Sequence, residues 1–432
     1  MSTLPRTPPR TDAPSVRAQR AGQSGELLNI SYVHAFVKVA ECGGIAPASK
    51  ELSLSPSAVS RSIQLIEKHL GVPLLERRPR GSLLSSYGKK ILPRAQSAIR
   101  ELGAIPRMKK NESRAPLDAL EHLLNTSRLQ MFVKLCELRR MPGVAAELGI
   151  SQPAISLGVG ILESGVGGVL FERSTLGLFP TRQAMAMELN CRRTLHELRL
   201  IPAEIAALHG SMQGVVTMGA IPLGRPLILP DAIAEVTTRH AGLRIVTRES
   251  PFEELISGLR SGDIDFIFGP ILLCEKAGQL RCEALFEEDV ALLVGENHAL
   301  LRERAALKDL KGARWILPPK GAPARLLLDS AFINVGMHPP VPVVESADLA
   351  IIRGLLTSTD MVAALLSHQM AYEIAEGRIK RLPIQFPGTV SEMGLYYRAE
   401  SSPSPAARTL MDAIRLIAEK QSQSLTERSI LL

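Results

Sequence analysis

The chain has 432 residues, 45% of them hydrophobic and 22% charged, which is room for about three domains at roughly 150 residues each. Its formal charge is +8, from 51 Lys and Arg against 43 Asp and Glu, with a pI near 9.3; that balance suits an acidic partner such as nucleic acid. No run approaches the ~18 consecutive apolar residues of a membrane span, which excludes a helical membrane protein.

Residues 1–26 carry Arg6, Arg10, Arg17 and Arg20 among Pro, Thr and Ser, without an apolar stretch. They read as a disordered basic tail rather than a secretory signal, so the protein is expected in the cytoplasm. Cys42, Cys136, Cys191, Cys274 and Cys282 show neither CxxC nor metal-ligand spacing, as expected of mostly buried thiols in a reducing compartment. The charge is unevenly placed: net +10 over 1–118, +1 over 119–210 and −3 over 211–432. One module should therefore meet phosphate while the others do not.

Sliding the sequence by 96 residues aligns Phe36-Val37-Lys38 with Phe132-Val133-Lys134, Glu51-Leu52 with Glu147-Leu148, and Glu76-Arg77 with Glu172-Arg173, with 14 identities over the 42 positions 36–77 and no gap. The register persists to Ile105-Pro106 and Ile201-Pro202. This is a duplication, and two copies are too few for a solenoid, so each is expected to be a small domain in its own right.

In copy 1, residues 46–52 read as a short helix and Ser53-Leu54 as a turn. Ser55 is the N-cap of a second helix that opens with Pro56. Val59, Ile63, Ile66 and Leu70 then recur at helical spacing and must face a core, and the helix should stop near Gly71. The opposite face carries Ser57, Arg61, Gln64 and Lys68, beside Ser60. Two short helices joined by a tight turn, the second with a basic outer face, make a helix-turn-helix able to enter a major groove; on periodicity alone, a small helical domain with a solvated face fits equally. Arg77, Arg78 and Arg80 form a basic turn suited to phosphates. A longer helix follows over 86–106.

The run LSPSAVSRSIQLIEKHLGVPLLERRPRGSLLSSYG resembles the winged helix-turn-helix of the LysR-type transcriptional regulators, and GISQPAISLGVGILESGVGGVLFERSTLGLFPT resembles it again. In copy 2 the apolar stripe survives as Ile155, Val159, Leu162 and Val166, but the outer face becomes Pro153, Leu157, Gly160 and Ser164. Gly158, Gly160 and Gly165 are expected to loosen that helix. Copy 1 is thus expected to read DNA, and copy 2 to be chiefly structural or dimerising. The resemblance leaves Ser151, Gln152, Pro153, Ser156 and Arg173 as a possible second DNA contact.

After residue 210 strands alternate with helices, as in an α/β sheet with ligands at strand C-termini. Strands are expected at 215–219, 243–247, 265–268, 290–294, 315–317 and 361–366, with helices at 253–260 and 347–356. GVVTMGAIPLGRPLILPDAI, GLRSGDIDFIFG and ALFEEDVALLVGENHAL resemble the family's effector domain. The implied fold class is mixed: two α-rich winged helix-turn-helix domains with linker helices, then an α/β, two-lobed, periplasmic-binding-protein-like effector domain. The boundaries are a tail to 26, domains at 29–88 and 125–184 (helix-turn-helix cores about 45–64 and 141–160), linker helices at 89–118 and 185–210, the effector domain at 211–420 and a tail at 421–432.

Carried over by position, the effector cleft comprises Ile221, Pro222, Leu223 and Arg225, then Ser250, Pro318, Lys320 and Ser346, the last also readable as a plain helix N-cap. The implied partners are double-stranded operator DNA, a small-molecule effector such as a sugar or organic acid, and further copies of the chain in a homodimer or homotetramer joined through the linker helices. No HExxH, GxSxG or GxGxxG motif appears, so neither enzyme chemistry nor a cofactor is expected. Cys274 and Cys282, eight residues apart, leave thiol redox sensing as the alternative.

Overall fold

The computed structural model describes residues 27–78, 81–105, 121–175, 177–220, 228–271, 280–301, 306–384 and 388–430. They fall into two units, 1–209 and 210–432.

The first unit contains the repeat. Copy 1 runs α1 (Ile30–Cys42), α2 (Ile45–Glu51), α3 (Pro56–Leu70), β1 (Leu75–Arg78), β2 (Gly81–Leu84) and α4 (Ser86–Gly103). Copy 2 runs α5 (Thr126–Leu138), α6 (Met141–Leu148), α7 (Gln152–Val166), β3 (Phe171–Ser174), β4 (Gly177–Pro180) and α8 (Arg182–Leu208). Each copy folds for the reasons its shared residues supply. The Ser55 and Ser151 hydroxyls accept from the Ala58 and Ala154 amides, capping α3 and α7. Gly71 and Gly167 end those helices in the left-handed region, at φ 71° and 76°.

Glu67 accepts from the Leu74 amide at 2.7 Å and Glu163 from the Leu170 amide at 2.8 Å, tying each second helix to its β-hairpin. Lys38 bridges Glu41 and Glu51, as Lys134 bridges Glu137 and Glu147. Each β-hairpin pairs antiparallel, and α6 and α7 meet at 108°, within the usual helix-turn-helix range. Among the described residues no single helix is long and apolar enough to cross a membrane.

Val59, Ile63, Ile66 and Leu70 are buried as their spacing requires, and so are Ile155, Val159, Leu162 and Val166. Fully burying such a side chain contributes about 1.5–3 kcal/mol. The two copies do not close separate cores, however: one hydrophobic cluster runs from Leu28 to Ile205 through both. The linker helices account for this. Expected to pair between chains, α4 and α8 pack on each other within one chain, burying Ile91, Ala95, Ala98, Leu195, Leu198 and Ile201. Helix α4 begins at Ser86 and ends at Gly103, so a helix to 118 is not borne out as far as residue 105; 106–120 lie outside the described residues.

The glycines of α7 also differ from expectation. A Cβ at Gly165 would stand 2.0 Å from the His122 ring, and one at Gly158 2.9 Å from the Met131 sulfur. These two positions admit close neighbours rather than loosening the helix, and only Gly160 faces open space.

The second unit runs β5 (Gly214–Ala220), α9 (Ile228–Arg239), β6 (Leu243–Arg248), α10 (Phe252–Ser261), β7 (Phe266–Pro270), β8 (Leu280–Gly295), β9 (Trp315–Leu317), α11 (Pro323–Asn334), β10 (Val344–Glu345), α12 (Leu349–Ser358), β11 (Val362–Leu366), α13 (Ala371–Ala375), β12 (Ile379–Arg381), β13 (Val390–Arg398) and α14 (Pro405–Ile430). The expected strands are all present. The sheet order is β10-β9-β11-β8-β13-β7-β5-β6, with β12 also on β8.

Strand β8 changes partners along its length: Leu280–Asp289 pair with β13, and Val290–Gly295 pair with β11 and β12. The first half is the more exposed, and Val290–Gly295 are wholly buried. Two expectations are corrected. Helix α12 starts at Leu349, because the Asp348 carboxylate accepts from the Ala350 and Ile351 amides and takes the N-cap from Ser346. Residues 421–430 continue α14 rather than forming a tail, since the stretch holds no Gly or Pro to stop a helix.

Candidate DNA interface and effector site

Helix α3 sorts its side chains cleanly. With the apolar stripe inward, Ser57, Arg61, Gln64 and Lys68 are all exposed, Ser55 and Pro56 are exposed at the N-terminus, and Ser60 is half-buried at the margin. The helix thus presents a guanidinium, an amide, an ammonium and hydroxyls on one face, which are groups that bond base edges and phosphates. Arg77 and Arg78 lie on β1, where Arg77 pairs with Ser82 and Arg78 with Gly81 across the hairpin. Arg80 lies outside the described residues.

On α7, Ser151, Gln152, Pro153 and Ser156 are likewise exposed, and so is Arg173 on β3. The positions that face outward on α3 carry no charge here. Leu157 stands where copy 1 has Arg61 and is 68% exposed, while Arg78 and Arg80 correspond to Ser174 and Leu176. This face can touch a thymine methyl but offers few donors to bases or phosphates.

In the second unit the described cleft residues, Ser250, Pro318, Lys320 and Ser346, follow the carboxyl ends of strands β6, β9 and β10. Strand β5 pairs parallel with β6, Gly219 opposite Arg248, and Ser250 follows β6, half-buried. Ile221, Pro222, Leu223 and Arg225 follow β5 but lie outside the described residues. In the other half β10 pairs parallel with β9, Glu345 opposite Leu317. The Ser346 amide donates to the Leu317 carbonyl at 3.0 Å, bringing Ser346 beside buried Pro318. The Ser346 hydroxyl accepts from the Asp348 amide at 3.1 Å, and Lys320 is exposed.

Sequence reasoning missed two features. A cavity of about 770 Å³ opens at the other ends of these strands, lined by His298, Lys311, Arg314, Asp360 and Arg378 among others. Arg314 pairs with Asp360 and Arg378 with Glu376, so it holds no marked excess of one charge. The second is a buried cluster between α4 and α8: Arg94, 5% exposed, donates to Glu197 at 3.2 Å and to Glu204 at 2.9 Å, and Lys90 reaches Glu204 at 3.3 Å. A signal lies in Glu101 and Glu197, identical residues 96 apart, a match that speaks for shared register but not for contact.

Cys136 and Cys191 are buried free thiols whose pKa values burial pushes up, which makes them poor nucleophiles. Cys282 is disulfide-bonded, and Cys274 lies outside the described residues. Among the described residues no group of His, Cys, Asp and Glu could hold a metal.

Family comparison agrees with this arrangement. The model of the bacterial regulatory helix-turn-helix protein, lysR family, matches residues 30–89 and again 126–185, and the model of the LysR substrate binding domain matches 209–416. The chain belongs to the LysR family of transcriptional regulators. It is a regulator with an effector-binding domain, not an enzyme.

This LysR-family chain is 45% identical over 397 residues to the HTH-type transcriptional regulator GalR of Pseudomonas putida, covering 92% of this chain and 99% of that protein. The unaligned remainder is shorter than one repeat, so both copies have counterparts there. The HTH-type transcriptional regulator GbpR of Azospirillum brasilense is 28% identical over 71% of this chain and 91% of its own length. In fold, the chain is similar to a full-length, singly substituted OxyR from Pseudomonas aeruginosa, with a TM-score of 0.52 at 22% identity over 68% of this chain and 98% of that one.

Proposed function

We propose that this LysR-type regulator reads a specific operator through α3 of copy 1 and responds to a small organic effector in the second unit. The observation that carries the reading is the exposed Ser57, Arg61, Gln64 and Lys68 face against the neutral Pro153, Leu157, Gly160 and Ser164 face. Ser57, Ser60, Arg61 and Gln64 meet base edges or nearby phosphates, while Arg77, Arg78 and Arg80 anchor the backbone and set the register. The +10 of residues 1–118 against +1 of 119–210 supports the same division.

The effector, a sugar or organic acid, binds at the strand ends formed by 221–225, Ser250, Pro318, Lys320 and Ser346. The halves on either side of β8 act as two lobes, and their closure shifts the population of assemblies formed by several copies in the cytoplasm. Footprinting tests the DNA assignment. Arg61→Ala should cost about 1–3 kcal/mol of specific affinity, roughly 10- to 100-fold, and Gln152→Ala much less; equal losses would refute the division. For the second unit, a thermal-shift screen against sugars and organic acids should raise the apparent melting temperature for the true ligand class.

The disulfide at Cys282 favours one second reading, an oxidant-responsive regulator in which two thiols give up two electrons and two protons to a peroxide-class oxidant. Replacing Cys274 and Cys282 by Ser would leave the footprint of peroxide-treated protein unchanged if this reading is wrong.

A further inference from the structure

In a two-fold dimer the contacts come in reciprocal pairs: if residue i of one subunit touches j of the other, j of the first touches i of the second. One pair of contacts between copies 1 and 2 follows this rule inside a single chain, with the 96-residue offset in the role of the second subunit. Arg94 donates to Glu197, the counterpart of Glu101. Asn190, the counterpart of Arg94, donates to Glu101 at 2.9 Å. Where a residue touches its own counterpart it lies on the axis, and among the described residues two polar contacts are of this kind: the Ile30 amide donates to the Thr126 hydroxyl at 2.9 Å, and the Thr194 hydroxyl, which also bonds the Asn190 carbonyl, lies 3.3 Å from the Ala98 carbonyl, each pair 96 residues apart. The single core through both copies completes an interface of the kind a dimer buries.

We infer that one chain supplies both halves of its own DNA-binding dimer and clamps two neighbouring half-sites, one read by α3 and the other held with little base readout beneath α7. The inference builds on the reading of α3 as the DNA-reading helix. Two consequences distinguish this chain from an ordinary symmetric dimer. The face of α4 by which a second chain would pair is filled by α8, with Arg94, Glu197 and Glu204 all buried there. The operator need not be palindromic, because the two half-sites meet different faces: sequence information should concentrate in one half, and the other should contribute phosphate contacts, including one to Arg173.

The full-length chain can report which helix lies where. Leu54 and its counterpart Ile150 are exposed, 48% and 39%, at the turns preceding α3 and α7. Leu54→Cys and Ile150→Cys each accept a tethered iron chelate that cleaves nearby DNA, and chelate-treated unsubstituted protein supplies the background. Cleavage clusters from the two probes are expected about one helical turn apart, roughly 10 bp, on opposite sides of each footprint centre. Clusters from the Leu54 probe alone, spaced that distance from each other while the Ile150 probe cuts nowhere between or beside them, would show two chains pairing copy 1 with copy 1 and would overturn the inference.

Half-site randomisation checks the asymmetry separately: equal information in both halves would overturn the lopsided readout. Loss of base reading in Arg61→Ala concerns the α3 assignment; the probe spacing concerns the clamp. Retained spacing with no Arg61 effect would reject the first and keep the second.

Discussion

Copies 1 and 2 differ where they meet solvent and agree where they meet themselves. The N-caps Ser55 and Ser151, the Lys38 and Lys134 bridges, the Glu67 and Glu163 ties and the terminating Gly71 and Gly167 are the same in both. By contrast, Arg61, Gln64 and Lys68 have become Leu157, Gly160 and Ser164. The serine caps contribute about 0.5–2 kcal/mol each, the glutamate ties satisfy part-buried amides and the partly exposed lysine bridges add up to about 1 kcal/mol, whereas an exposed side chain without such partners changes stability by less than about 0.5 kcal/mol. Folding therefore preserves the first set whether or not the copy binds anything, and only a DNA contact would preserve the second. One scaffold position tolerates a costlier residue: Arg139 replaces Gly43 in the left-handed region, at φ 55° against 72°, with its guanidinium 5.1 Å from the Phe179 ring centroid.

The largest expected effect breaks the pairing of the copies. Arg94→Ala would leave Glu197 and Glu204 buried without the guanidinium between them, and losing one partner of such a cluster costs about 3–5 kcal/mol. Its counterpart Asn190 makes a neutral-donor bond to Glu101, so Asn190→Ala should cost about 1–2 kcal/mol. Urea unfolding followed by helical circular dichroism reads both. The single tryptophan, Trp315, belongs to the second unit, so its fluorescence serves as an internal control. Equal costs at the two positions would mean that the buried cluster does not clamp the copies.

That cluster also marks where the sequence stops being legible. The repeat, the recognition-helix stripe and the parallel strands follow from local periodicity, because burial imposes 3.6- or 2-residue spacing on a short window. The role of Arg94 could not be read that way: its partners lie 103 and 110 residues ahead, and a lone arginine on an amphipathic helix has the same pattern whether it faces water or a carboxylate. Ser346 shows a smaller version of the limit. Both Ser346 and Asp348 are good N-cap residues, and the backbone path, set by pairing of β10 with β9, decides for Asp348. At the proposed effector site, the alternation of strands with helices pointed to strand ends and the family resemblance supplied the residues, whereas what would bind there depends on side chains converging from distant segments.

The next effect tests whether α7 is a decayed helix or a closely packed one. Gly165→Ala would push a methyl into the His122 ring and should destabilise the first unit by about 1–3 kcal/mol. Gly160→Ala, with open space around it, should stabilise by about 1 kcal/mol through helix propensity. Opposite signs in thermal unfolding support close packing around a vacant reading face. Stabilisation by both would return the glycines to the status of loosened positions.

The smallest effect separates the copies by acid. His34 in α1 is buried, and burial first, then the neighbouring Lys38 charge, lowers its pKa from 6.5 against a small opposing pull from Glu41. Its counterpart in copy 2 is Gln130, which does not titrate. The folded chain favours the neutral imidazole, while the unfolded chain takes up the proton near the ordinary value. Stability contributed by His34 is therefore present above about pH 6.5 and falls as the pH drops below it. His34→Gln, which gives copy 1 the residue of copy 2, should flatten that slope in melting temperature between about pH 7 and pH 5, with little change at the alkaline end. An unchanged slope would assign the acid sensitivity to groups other than His34 and remove this difference between the copies.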